Sequence, residues 1–337
     1  MILKLAATLV ISFIITTTVG RFLVPWLRKI KAGQEIREVG PTWHKRKAGT
    51  PTMGGIMFIT GIASACLAVG FSSMSEGEYA HVFLLLFSLA FGFIGFLDDY
   101  EKLKKKQNLG LSAGKKFILQ VAVATLFVFL LRRFGYLTPD LYIPFLNKTL
   151  YMSEWMFYVF AVFAIVATVN AVNLSDGLDG LAAGTSLPVF LFFTAIAVYW
   201  GENYLSLGIF ASAVVGGLIG FLFYNFYPAK VFMGDTGSLF LGGAVAGLAF
   251  AFDIPLIILL LGIIYVLEAL SDVIQVAYFK LSGGKRFFKM APFHHHLEMG
   301  GWFGKKWSEK EIVALFTGIS AIAAVLSFIG VSDRFGA

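Results

Sequence analysis

The stretch Asn170-Ala-Val-Asn-Leu-Ser-Asp-Gly-Leu-Asp-Gly180 sets two carboxylates and two carboxamides between an apolar run that ends near residue 173 and another that begins at 181. Runs of about 17–25 apolar residues are long enough to cross a hydrocarbon core of about 30 Å. The polar stretch is therefore a turn at the edge of a membrane. A carboxylate at a helix centre costs about 2.5–3.5 kcal/mol on insertion scales, so acids kept this close to hydrocarbon are functional candidates by default. The rest of the chain has the same texture. Of its 337 residues, 58% are hydrophobic and 14% charged, against about 25% charged in soluble domains, and the mean hydropathy is +0.80. The expected fold class is an all-α polytopic membrane protein, a single integral membrane domain over residues 1–337.

Ten spans are predicted, over residues 2–27, 52–72, 80–98, 115–135, 155–173, 181–200, 205–224, 238–253, 255–279 and 311–331. The first is too long for a signal-peptide core and has no small-residue cleavage pattern, so it is expected to be retained. The loops at 28–50, 99–116, 174–180, 225–237 and 280–310 carry 21 Lys or Arg residues, and the opposite loops and termini hold five. The positive-inside rule makes those five loops cytoplasmic and both termini external. The net charge of +7 then reports orientation and anionic headgroups, and no nucleic-acid partner is expected. Cys66 is the only cysteine, which excludes an intrachain disulfide and any multi-cysteine metal site.

The acids and histidines sort to the same side. Asp98-Asp99 ends the third span ahead of a lysine run. Neighbours on a helix point about 100° apart, so the pair cannot serve one ion in the same way: one acid faces the bundle while the other meets water or Lys102. Asn173, Asp176 and Asp179 are three apart and project toward one face, with helix N-caps as the plainer explanation of the two acids. Asp235, Thr236 and Ser238 open a glycine-rich helix, where they either cap it or, with the helix dipole, form an anion site. A carboxylate among phosphate-binding groups makes sense where Mg²⁺ lies between them. The run His294-His295-His296 cannot bind one metal as zinc-protease histidines do, and hydrogen bonding to phosphate suits it better. Lys45, Arg46 and Lys47 with Thr50, Thr52 and Gly54-Gly55 either bind phosphate or anchor a cytoplasmic loop. Residues 280–310 mix cations with Phe287, Phe303 and Trp302, as a segment in the headgroup interface does. A short hairpin is predicted at 141–151, and Ser308 with Glu311 has capping-box spacing. Gly216, Gly220, Gly242 and Ala246 are spaced for close helix contact.

One arrangement accounts for the five acids, the three histidines and the basic loops: a polyphosphate held by Mg²⁺ at the cytoplasmic face beside a membrane-borne acceptor, and hence phosphoryl transfer at the interface. The motifs Thr50-Pro-Thr-Met-Gly-Gly55, Asp98-Asp99, Asn173-Leu-Ser-Asp-Gly-Leu-Asp-Gly180, Phe232-Met-Gly-Asp-Thr-Gly-Ser238 and Pro292-Phe-His-His-His-Leu-Glu298 closely resemble those of the bacterial phospho-N-acetylmuramoyl-pentapeptide transferase family. That family belongs to the polyprenyl-phosphate N-acetylhexosamine-1-phosphate transferases. The resemblance covers essentially the whole chain, with its motifs in order.

The resemblance implies transfer of phospho-MurNAc-pentapeptide from UDP-MurNAc-pentapeptide to undecaprenyl phosphate with Mg²⁺, in the bacterial plasma membrane, by a homodimer. It assigns Asp98, Asp99 and Asp235 to catalysis, and Asp235 with Asp176 to the metal. It assigns Lys47, Thr52, Lys115, Lys116, Asn173, Asp176, Asp179, Asn225, Phe232, His294, His295 and His296 to substrate, with Asn225 and Phe232 on uracil. Two alternatives stand beside it. A sister transferase using UDP-N-acetylglucosamine is disfavoured by the Pro292–Glu298 string. A secondary transporter would place its ionisable groups near the midplane of repeated halves, and here they gather at one edge with no repeat.

Overall fold

The computed structural model describes residues 1–30, 49–105, 107 and 109–335. Among these, the chain forms helices α1 (Ile2–Lys29), α2 (Gly55–Ser75), α3 (Ala80–Lys105), α4 (Ala113–Arg133), α5 (Glu154–Leu174) and α6 (Leu181–Trp200). These are followed by α7 (Leu205–Asn225), α8 (Gly234–Ala251), α9 (Ile258–Leu261), α10 (Ile263–Leu281), α11 (Phe293–Glu298) and α12 (Glu309–Val331). Between α4 and α5, strand β1 (Asp140–Ile143) pairs antiparallel with β2 (Lys148–Tyr151), Asp140 opposite Tyr151. This is the predicted hairpin, and the capping box of Ser308 and Glu311 opens α12 as its spacing predicted.

The polytopic all-helical class holds, and the number of spans is corrected. Eight helices among the described residues are long and apolar enough to cross a membrane, with a ninth if the bent pair Pro255–Leu261 and Ile263–Leu281 is one span. Ten were expected. The one that fails this test of length and hydropathy is α8, whose first turn Gly-Asp-Thr-Gly-Ser and glycines dilute its hydropathy, although it runs from one end of the bundle to the other. The expected straight span at 255–279 is also broken, its halves meeting at 81°. Gly262 sits at the break with its N–H turned back onto the Ile258 carbonyl at 2.8 Å.

Every residue of α8 after Asp235 is buried, so this helix is an axis on which others pack and not a lipid-facing span. The α7 span is likewise 83% buried, whereas that of α1 is 22% buried and lies at the rim. Small residues permit the approach. A Cβ at Gly242 of α8 would lie 2.6 Å from Val169 Cα of α5, and one at Gly220 of α7 would lie 3.0 Å from the Phe13 carbonyl of α1. Gly216 packs as tightly on Leu9, in keeping with the small-residue spacing.

The two ends of the bundle differ in kind. At one end lie the hairpin, the ion pair Arg334–Asp253 (2.6 Å) and the N-terminal ammonium on Glu202 (3.1 Å). Phe145 N–H donates to the Gly330 carbonyl there at 2.9 Å, tying the hairpin to α12. Asp253 follows the last turn of α8, so Asp235 in the first turn is a helix length away, about 1.5 Å per residue. At that far end α3 comes so close to α8 that a Cβ on Gly95 would collide with the Asp235 carbonyl.

Gly95→Val should therefore cost at least about 1–3 kcal/mol through overpacking and lower the thermal midpoint of the solubilised protein. Gly114→Ala in α4, which has open space around it, should leave the midpoint unchanged or slightly raised. A Gly95→Val protein that melts with the wild type would contradict the close α3–α8 contact.

Candidate active site

The helix α3 runs on past the predicted end of its span, from 98 to Lys105, supported by the i, i+4 pair Glu101–Lys105 at 2.8 Å. The extra length, about two turns, carries Lys102 back over the acids. Asp98 and Asp99 are both buried, at 4% and 2% exposed, and they diverge as adjacent helical residues must. Asp98 accepts the Leu111 N–H through Oδ1 (2.9 Å) and pairs with Lys102 through Oδ2 (2.6 Å). Asp99 turns to α8: Oδ1 accepts the Asp235 N–H (3.2 Å), and Oδ2 accepts the Thr236 N–H (2.9 Å) and the Thr236 hydroxyl (2.7 Å).

Asp99 thus fills the helix N-terminus that the sequence left open between a self-made cap and an anion site, an arrangement worth about 0.3–1 kcal/mol and up to about 2 when partly buried. Thr236 donates to that carboxylate in place of capping by itself. Gly234 lies at φ +70, and a Cβ there would come within 2.5 Å of Asp99 Oδ2, so the turn into α8 needs glycine.

Asp235 is held on both oxygens. Its Oδ1 accepts from Asn173 Nδ2 at 2.9 Å, and its Oδ2 meets Lys116 Nζ at 2.7 Å and Lys102 Nζ at 3.0 Å. The same Asn173 amide donates to Ser238 Oγ at 2.7 Å. Burial on its own raises the Asp235 carboxyl, but Lys116 and Lys102 beside it hold it well below the usual carboxylate range. One oxygen each from Asp98, Asp99 and Asp235 lies within 4.8 Å of the others. Neighbouring acids were expected not to serve one ion alike, and their other contacts do differ, yet all three present an oxygen to the same place. Three carboxylates against two ammonium groups leave one negative charge, and the donors are all hard oxygen. Such a set suits Mg²⁺, which takes one or two carboxylates together with phosphate oxygens.

The remaining predicted residues are placed as follows. Asp176, the second acid expected at the metal, is half-buried and is not one of the three whose oxygens converge. Asp179 is buried and accepts the Ala229 N–H at 2.8 Å, and it does not cap α6, whose N-cap is Gly180 at φ +79. Asn225, expected on uracil, is 2% exposed. Its amide accepts the Gly180 N–H (3.0 Å) and donates to the Val231 carbonyl (2.9 Å), bracing the two loops against each other. Phe232 is half-buried, and its backbone pairs with Pro51 and Gly54 at 2.8 Å each, which brings Thr52 beside Gly234. Lys115 is exposed at the start of α4, while Lys116 reaches the acids. Lys47, like Lys45 and Arg46, lies outside the described residues.

The three histidines diverge on α11. His294 Nδ1 meets Glu268 at 3.0 Å, His295 Nδ1 meets Glu298 at 2.7 Å, and His296 Nδ1 accepts the Lys289 N–H at 3.1 Å. Burial and then Lys289 lower the His296 imidazole below its ordinary range. Two residues escaped the sequence reading. Lys102 was named only as a neighbour of the paired acids, although its i+4 and i+3 offsets from them were the available signal. Glu268 gave none, since it and Asp272 one turn on sit within a run that reads as an apolar span.

A helical membrane bundle whose buried and half-buried acids and lysines converge at one end matches a class, the polytopic membrane transferases that handle phosphate. Residues 81–253 match the family described as glycosyl transferase family 4, and residues 47–59 match the phospho-N-acetylmuramoyl-pentapeptide-transferase signature 1. The first match contains Asp98, Asp99, Lys102, Lys116, Asn173 and Asp235. The chain is 46% identical over 324 residues to a phospho-N-acetylmuramoyl-pentapeptide-transferase of Listeria innocua, covering 96% of this chain and 97% of the relative. Relatives of the same name from Halalkalibacterium halodurans (44%, covering 96% of each chain) and a Thermoanaerobacter species (46%, covering 98% and 100%) match equally fully. The chain belongs to the phospho-N-acetylmuramoyl-pentapeptide-transferase family.

Asp99→Asn places amide hydrogens where three donors converge. It should lower the thermal midpoint by the equivalent of about 1–3 kcal/mol, the penalty of a mispaired buried group, as read by melting of the detergent-solubilised protein. An unchanged midpoint would remove Asp99 from its role as the link between α3 and α8.

Proposed function

We propose that this chain transfers phospho-MurNAc-pentapeptide from UDP-MurNAc-pentapeptide to undecaprenyl phosphate, releasing UMP and forming the first lipid intermediate of peptidoglycan. The observation that carries this reading is the convergence of Asp98, Asp99 and Asp235 with Lys102, Lys116 and Asn173 at the start of α8, in a chain of this family. Asp98, Asp99 and Asp235, which Lys102 bridges at 2.6 Å from Asp98 and 3.0 Å from Asp235, would hold Mg²⁺, and when bound it would neutralise charge on the diphosphate. Lys102 and Lys116 supply cations for phosphate oxygens, with Lys115 at the rim. The 174–180 loop, with Asp176 and Asp179, and the loops bearing Thr52, Phe232 and the histidines form the walls against which the nucleotide and sugar lie.

The acceptor has a path to this place through the membrane. Between α4 and α5 runs an apolar groove of about 630 Å³ lined by Phe117, Val121, Tyr158, Val162 and Phe163, with Asn170 at its polar end. The Asn170 amide is hydrogen-bonded to Gln120 (2.8 Å), one turn before the Asn173 that holds Asp235. A prenyl chain in the groove would bring its phosphate toward Lys116. A phosphate monoester has a second pKa of about 6, so the lipid phosphate is largely ionised at neutral pH and needs little deprotonation. In the reaction proposed, one of its oxygens attacks the phosphorus that bears the sugar. The bond to the bridging oxygen breaks, and UMP leaves with that oxygen. Asp98, paired with Lys102 and the Leu111 N–H, orients the cationic side of the site and need not become a covalent intermediate.

The basic loops support a cytoplasmic position for this end of the bundle, with both termini external. The whole chain acts as one membrane domain, as a homodimer. The purified protein should release UMP in the presence of Mg²⁺, undecaprenyl phosphate and UDP-MurNAc-pentapeptide, and not when UDP-N-acetylglucosamine replaces the donor. Asp235→Asn should remove at least about a hundredfold of that rate while the protein stays folded and extractable. Release only with the N-acetylglucosamine donor, or with neither, would overturn the assignment.

A further inference from the structure

Glu268 is a carboxylate with 0% exposure on α10, one turn after the buried Ile264. A charge so placed needs a partner, and its Oε2 meets His294 Nδ1 at 3.0 Å. His294 is itself 1% exposed, and its Nε2 is aimed at the 174–180 loop, where a Cβ on Gly177 would collide with it. Among the described residues Nε2 has no hydrogen-bond partner although it is buried. The pair therefore spans from the apolar interior to the loop whose preceding residue Asn173 holds Asp235. A carboxylate only accepts, so an Nδ1 facing it carries the hydrogen, and the atom offered to the loop is Nε2.

We infer that Glu268 is a positioning residue: it locks the His294 ring so that Nε2 faces the 174–180 loop and engages an oxygen of the nucleotide-sugar donor. The inference rests on the reading of this site as that of a UDP-sugar transferase. His295 and His296 point to Glu298 and to the Lys289 backbone, so this orientation belongs to His294. Gly177 serves the same end from the loop side, because only a residue without a Cβ leaves room for the ring.

The test compares Glu268→Leu and Glu268→Gln in the wild-type and in a His294→Asn background, reading kcat, KM for the donor and the thermal midpoint. Groups that orient a histidine through its far nitrogen are worth about 10- to 100-fold in activity. Glu268→Leu should lose kcat by that factor with donor KM near wild type and a lowered midpoint, because it leaves the buried His294 Nδ1–H unpaired. Glu268→Gln, which keeps an acceptor oxygen for Nδ1–H, should recover turnover to within a few-fold. In the His294→Asn background Glu268→Leu should cause no further loss. A Glu268→Leu enzyme with wild-type kcat, or the same fold-loss in both backgrounds, overturns the inference. If Glu268→Leu does not fold, Gly177→Ala carries the test, with the same kcat loss expected in the wild type and none beyond His294→Asn; an equal loss in both backgrounds, or none in either, overturns it. A wild-type protein that releases no UMP takes down the transferase reading and this inference together, whereas normal turnover that is indifferent to these variants removes the inference alone.

Discussion

One carboxylate receiving three hydrogen bonds joins the end of α3 to the start of α8, and the rest of the site hangs on that junction. Asp99 takes the N–H groups of Asp235 and Thr236 and the Thr236 hydroxyl, which sets where Asp235 projects and which way α8 enters the bundle. There is no slack in the arrangement. Gly95 allows the α8 backbone to touch α3, Gly234 allows the turn at φ +70, and every residue of α8 beyond Asp235 is packed on its neighbours. A polar first turn would be a defect in a lipid-facing span. Here it is possible because α8 is surrounded by protein, so its free N–H groups find a partner inside the bundle.

The second constraint is electrostatic. Three acids within 4.8 Å of one another at the edge of hydrocarbon repel, and each loses hydration on burial. Lys102 and Lys116 answer this by lying against the group, Lys102 at 2.6 Å from Asp98 and 3.0 Å from Asp235, and Lys116 at 2.7 Å from Asp235. The result is a dense, nearly balanced array that is partly open to water, with Asp235 at 18% side-chain exposure. An array of this kind is complementary in charge to ligands that carry both signs, as a divalent cation with a diphosphate does, because each would bring a partner for one half of it.

The membrane class, the gathering of acids and basic loops at one end, the hairpin and the cap of α12 were all legible in the sequence. Each depends on local quantities: run length, charge asymmetry, β-branched and aromatic residues around Asn147-Lys148, and the offset of Ser308 from Glu311. What stayed hidden depends on neighbours distant in the chain. The end of α3 was placed at 98 because hydropathy stops there, whereas the helix continues on the strength of Glu101–Lys105 and the acids that Lys102 meets. The span at 255–279 looks continuous by composition, and its break at Gly262 shows only in the backbone. Asp235 was legible as a site acid, but the helix end beside it read equally as self-capped or as an anion site, since nothing local says that Asp99 will occupy it. Asn225 was taken for a ligand contact by its motif, and the structure spends its amide on two loops. Glu268 left no trace, because its partner His294 is 26 positions on.

The central claim is that Asp98, Asp99 and Asp235 form one divalent-cation site at the head of α8. Anomalous diffraction from crystals of the wild-type protein and of Asp235→Asn, grown with Mn²⁺ in place of Mg²⁺, addresses it most directly. The account predicts one Mn²⁺ peak within ligand distance of oxygens from that group, lost in Asp235→Asn. A peak at Asp176 and Asp179 instead, or one that persists in the variant, would contradict it.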